Sequence, residues 1–162
     1  MEDATAGWEN FCVAQVGASA ALTGLLFVAV SINLSRILQI PHLPGRAAES
    51  LIVLLAVLGV SSLGLVPHTS RHTLGIELVA VWSVTSVGIA RSQLPDTRRR
   101  DPDAHWPSRL LTTHLPLAAF LGGGISLLAG AGGGMYWVLG GTLACFAAST
   151  LNAWVLLVEI QR

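Results

Sequence analysis

The chain has 162 residues, of which 52% are hydrophobic and 11% charged, and its formal net charge is +0. That balance excludes nucleic acid as a partner and leaves too little charge to cover a soluble domain of this size. Mean hydropathy is +0.65, and the apolar residues fall in blocks of about 20, the length that crosses ~30 Å of hydrocarbon at ~1.5 Å per residue. The sequence therefore predicts an all-α integral membrane helical bundle forming a single transmembrane domain over 1–162. All nine basic residues are arginine, a bias that fits a GC-rich genome better than nine separate functional demands.

Five spans are predicted in chain order. The first covers about 8–38 and ends at a turn built on Pro41 and Pro44-Gly45. The second covers about 46–66 and stops at Pro67, and the polar turn PHTSRHT leads into a third over about 74–90. Residues 91–109 form the long hydrophilic segment, read as a cytoplasmic loop, and a fourth span covers about 110–129. The run GAGGG at 130–134 reads as a tight reversal, because glycine accepts positive φ at no steric cost but weakens a helix interior by about 1 kcal/mol per residue. A fifth span follows over about 135–159.

Arginine placement sets the expected orientation. With the N-terminus outside, Arg36, Arg46, Arg91, Arg98, Arg99, Arg100, Arg109 and Arg162 all fall inside and Arg71 alone falls outside. This is the positive-inside pattern, N-out and C-in. Acidic Glu2, Asp3 and Glu9 lie before or at the start of the first span, and Trp8, Tyr136 and Trp137 mark the outer boundary as Trp106 and Trp154 mark the inner one. Asp96, Asp101 and Asp103 flank the RRR run, which reads as a topology determinant rather than a lipid site. The acidic flank and long apolar stretch of the first span argue against a cleavable signal peptide. Cys12 lies about one turn into the first span and Cys145 ~15 Å into the fifth, depths too different for a disulfide, so both read as packing residues.

The first span gives up much hydrophobic surface. Gly17, Ala21, Gly24, Val28, Ser31 and Ser35 share one side of it, while Gln15, Ser19, Thr23 and Asn33 lie near the opposite side. Helices in lipid associate through small residues and interhelical hydrogen bonds. The first helix is thus expected to be central, with Gly24 at a close helix–helix approach. The fifth span repeats the device with Gly140, Gly141, Ala144 and Ala148, and the fourth with Gly122, Ser126 and Gly130.

Polar side chains at membrane depth are the functional candidates, since a charge there costs at least ~2.5–3.5 kcal/mol on insertion scales. Glu49, three residues after Arg46, reads as an N-terminal helix charge. Asn33, Glu49, His114 and Asn152 are expected to share a cytoplasmic-side layer, with Pro116 bending the helix that carries His114. Glu77 lies near the outer end of the third span and needs a partner, a proton or water. His68 and His72 are near it in sequence, but their spacing matches no metal-ligand pattern. No catalytic, cofactor-binding or metal-binding motif is present, so the chain reads as non-enzymatic, with no cofactor.

The stretch FCVAQVGASAALTGLLFVAVSINLSRIL, followed by PGRAAESLIVLL, resembles a group of small bacterial multi-span proteins, some of which are named modulators of the FtsH membrane protease. The resemblance covers the first two spans and the five-span layout. It implies a partner-binding accessory protein of the bacterial plasma membrane and brings no site residues with it. Two functions stand open on these residues. One is an accessory protein whose small-residue faces meet other membrane proteins or copies of itself within the lipid bilayer. The other is a small homo-oligomeric ion or proton channel or transporter, with Glu77 and the His114/Asn152 layer facing water.

Overall fold

The structure, a computed structural model, describes residues 5–40, 42–67, 70–99 and 106–161. Glu2, Asp3, Pro41, His68, Arg100, Asp101, Asp103 and Arg162 lie outside the described residues, as do the side chains of Asp96, Arg98, Arg99, Trp106, Arg109 and Glu159. The described residues form an all-α bundle: α1 (Glu9–Ile32), α2 (Leu34–Ile37), α3 (Leu43–Leu63), α4 (Arg71–Arg99), α5 (Trp106–Ala129) and α6 (Met135–Gln161). All but α2 contain a stretch long and apolar enough to cross a membrane.

The boundaries differ from the expected spans for local reasons. The first span is interrupted at Asn33, whose side-chain amide donates to Ala29 O at 2.9 Å and so offers the backbone a local alternative to continued helix. Pro44 and Gly45 do not form a turn. They lie in the first turn of α3, where proline's missing donor costs nothing. The third span begins earlier because Ser70 Oγ accepts the Thr73 backbone N–H at 3.1 Å, an N-cap. Residues 91–99, expected in a loop, continue α4, and residues 106–109 already belong to α5, which runs through Pro116.

The glycine reversal is present as expected. Gly130, Gly132, Gly133 and Gly134 all have positive φ, between 42° and 92°. Ser126, read from spacing as a packing residue, anchors this turn: its hydroxyl donates to Ala131 O and accepts the Gly134 N–H at 2.8 Å. Across the turn Trp137 Nε1 donates to Gly132 O at 2.8 Å. Trp8 stacks edge-on against Tyr136 at 5.1 Å, so the outer-boundary aromatics do gather at one end.

The first helix is not central, and this is the main correction to the sequence reading. In the apolar stretch of α3 50% of the residues are buried, against 11% in α1. The helix α3 packs against α1, α4 and α6, while α1 leans almost entirely on α3. Gly17 and Gly24 are exposed, and a Cβ on either would meet nothing within 4 Å; Gly140 is equally open. Ser31 is exposed and satisfies itself on Phe27 O at 2.7 Å, and Ala144 and Ala148 are only half-buried. Of the two glycines singled out in the fifth span, Gly141 is the one at a packed seam, where an added Cβ would stand 3.0 Å from Ala119 Cβ and Phe120 Cε1. Other tight approaches lie at Gly64, beside Cys12 of α1, along Gly75 of α4, and along α5 at the expected Gly122 together with Gly123 and Gly124. Both cysteines are unpaired and buried in the main core with Val57, Leu78, Leu117, Phe120 and Val138.

Candidate functional site

The helix α3 carries a carboxylate into the middle of the bundle. Because α3 begins at Leu43, Glu49 lies in the second turn, beyond the reach of the helix-end charge that the sequence reading assigned to it. It is 0% exposed, as is Ser50 beside it. The neighbouring helices bring further polar groups to nearly the same level. Gly88 of α4 faces Ile52 of α3, Gly75 of α4 faces Gly124 of α5, and Gly141 of α6 faces Phe120 of α5. Counting antiparallel from these contacts at ~1.5 Å per residue puts Glu49, Ser50, Thr113 and Ser149 within about 8 Å along the bundle, roughly one and a half helical turns.

Thr113 and Ser149 are 1% and 4% exposed, and neither hydroxyl has a hydrogen-bond partner. Gln93 Nε2, Arg46 Nε and Ser86 Oγ are also buried without one, and the same counting puts them within about two turns of Glu49. Ser61 Oγ is likewise buried without a partner but lies nearer the Glu77 end, whereas Ser19 donates to Gln15 O at 2.6 Å and Thr85 to Val81 O at 2.6 Å within their own helices. Each unpaired group costs about 1–3 kcal/mol, so this layer carries a polarity that packing alone does not require.

Of the residues expected to share the layer, Glu49 and Asn152 fall at similar depth and His114 about 9 Å nearer the glycine-turn end, but only Glu49 is fully buried. Asn33 sits nearer the arginine-rich end and lines a largely apolar groove between α1 and α6, which Ser149 of the layer also lines. Gln93, Thr113 and Ser149 were missed by the sequence reading, because a lone Thr or Ser in an apolar helix looks the same whether it faces lipid or core. Glu77 is half-buried, and its Oε2 is enclosed without a hydrogen-bond partner. Through the Gly88–Ile52 contact, Glu77 and Glu49 stand about 21 Å apart along the bundle. Val57, Leu78, Leu117 and Phe120 of the apolar core occupy the levels between them.

A second cavity, of about 470 Å³, opens at the glycine-turn end beside Trp8, Arg71, Ser126 and Tyr136. Neither it nor the α1/α6 groove is lined by Glu49, Glu77, His114 or Asn152. Among the described residues no group of three His, Cys, Asp or Glu side chains converges to hold a metal ion. The fold and site together define a helical bundle with five potential membrane-spanning helices and a buried carboxylate layer near its arginine-rich end. No family model, curated protein or solved structure matches the chain.

Proposed function

We propose that this is a non-enzymatic multi-pass protein of the bacterial plasma membrane, oriented N-out and C-in, that acts as an accessory partner by lateral association within the bilayer. The observation that carries this reading is the outer face of α1. A helix that packs on one neighbour presents Gly17 and Gly24 with nothing against them. Small residues facing lipid gain nothing from it, whereas small residues facing a helix allow close backbone approach. The partner is another membrane helix, on a second protein or a second copy of this chain. The likeness of the first two spans to proteins named for the FtsH protease supports the same reading.

Gly24→Leu tests it. In detergent the variant is expected to melt at the wild-type temperature, because the added side chain enters open space. In cell membranes, a photo-crosslinking residue at Ala21 is expected to give a discrete protein adduct that Gly24→Leu abolishes, with no such adduct from Val84, which is 74% exposed on α4. Adducts to lipid alone from both positions would overturn the accessory reading.

The transport reading requires a polar connection between Glu77 and the Glu49 layer, and the intervening apolar core argues against it. Wild-type protein in liposomes, with a pH-sensitive dye and an imposed potassium diffusion potential, is expected to show the flux of empty liposomes, and Glu77→Gln the same. Glu77→Gln is also expected to melt at or above the wild-type temperature, since an amide removes the cost of desolvating a carboxylate oxygen that no donor satisfies. Wild-type flux abolished by Glu77→Gln would reinstate transport.

A further inference from the structure

The groove between α1 and α6 is open on the outer surface of the bundle, has a volume of about 230 Å³, and is lined by Leu22, Leu26 and Ala29 on one wall and Ala153, Leu156 and Leu157 on the other, with Asn33 near its end. It follows α1 and α2 from Leu22 to Ile37, fifteen residues or about 22 Å at ~1.5 Å per residue. Half of a bilayer including its headgroup region is ~20–22 Å thick, so the groove has the length of one leaflet. Its direction is also that of a lipid. The apolar part lies at membrane depth, and the end near Ile37 reaches the arginine-rich edge of the bundle.

Chemistry at that edge selects the occupant. Arg36, in the turn of α2 next to Ile37, is exposed, and among the described residues no carboxylate pairs with its guanidinium. Asn33, one turn deeper, uses one amide hydrogen on Ala29 O and keeps a second donor and its carbonyl oxygen at the depth of a glycerol ester. An exposed cation, an amide about 5 Å further in and a largely apolar channel beyond match, in order, the phosphate, ester and acyl chain of a phospholipid. We infer that the α1/α6 groove holds one anionic diacyl phospholipid of the leaflet at the arginine-rich end, with an acyl chain between the two helices and its headgroup on Arg36. This explains why α1 and α6 flank a common neighbour, α3, while barely touching each other. The lipid completes the wall between them.

Native mass spectrometry of the full-length protein with phosphatidylglycerol and phosphatidylethanolamine of identical acyl chains tests both parts. Wild type is expected to retain phosphatidylglycerol about fivefold more tightly, the worth of one arginine at an anionic surface. Arg36→Gln is expected to remove that preference while both lipids still bind. Ala153→Trp, which fills the groove from α6, is expected to abolish retention of both, and Ala29→Phe, entering from the opposite wall, serves if that variant does not fold. Equal retention of the two lipids by wild type would overturn the headgroup assignment, and undiminished retention by the groove-filling variant would overturn the site.

Discussion

Gly124→Ala is expected to lower the melting temperature in detergent by several degrees, although it adds a single methyl group to a helix. The added Cβ would stand 2.8 Å from Val79 Cγ2, 2.9 Å from Gly75 O and 3.3 Å from Val79 N. Two of those three atoms belong to the backbone of α4, so no side-chain rotation relieves the contact and the two helices must separate. Overpacking of this kind costs about 1–3 kcal/mol, against a helix-propensity gain of about 1 kcal/mol for replacing glycine. The seam is reciprocal, since a Cβ on Gly75 would meet Gly124 O at 3.0 Å and Leu128 Cγ at 2.9 Å. Once α4 and α5 have moved apart for one methyl, the second has room. The double variant Gly75→Ala/Gly124→Ala is therefore expected to lose clearly less than the sum of the single losses. Gly140→Ala, which enters open space, is expected to be neutral or stabilising. Equal melting of Gly124→Ala and Gly140→Ala would mean that α4 and α5 are not in backbone contact.

The largest loss is expected from Phe120→Ala. Its ring is 0% exposed within the main core and lies beside the α5/α6 seam, with Cε1 and Cδ1 at 3.0 and 3.2 Å from where a Cβ on Gly141 would stand. Truncating a buried phenylalanine costs about 3–5 kcal/mol in water-soluble cores. The lower end applies here, because an unfolded membrane helix keeps its apolar side chains in detergent or lipid and the transfer part of the cost shrinks, leaving the lost packing. A coupling measurement isolates that packing. Gly141→Ala is expected to destabilise the wild type, where the methyl meets the ring, and to recover part of the loss in the Phe120→Ala background, where Ala119 Cβ remains as the close neighbour. Strict additivity in detergent melts would show that the ring does not sit where the structure puts it.

Some of the candidate site was legible one residue at a time and some was not. Glu49 and Glu77 stand out in any reading, since a carboxylate in an apolar block demands explanation. Their environments do not follow from that: Glu49 is fully buried in the helix that touches most of the others, whereas Glu77 is half-buried. Gln93, Thr113 and Ser149 gain significance only because three different helices bring them to the depth of Glu49. The glycines show the same limit from the other side. Gly17 and Gly24 have the spacing of a packing stripe and face open space, while Gly124, one of three successive glycines, makes the closest backbone approach.

The sequence by itself determined the class of the molecule: the number of apolar helices, the reversal at the glycine run, and the segregation of arginine to one end. Each of these rests on local physics, because a helix in hydrocarbon must satisfy its own backbone and must be long enough to cross. Only the tertiary structure decided which helix is central and which faces are shared. In water, an apolar stripe marks the buried side of a helix. In a membrane, the lipid-facing and core-facing sides are equally apolar, so α1, with its small and polar residues on two faces, could be read as central, when it is α3 that the bundle surrounds.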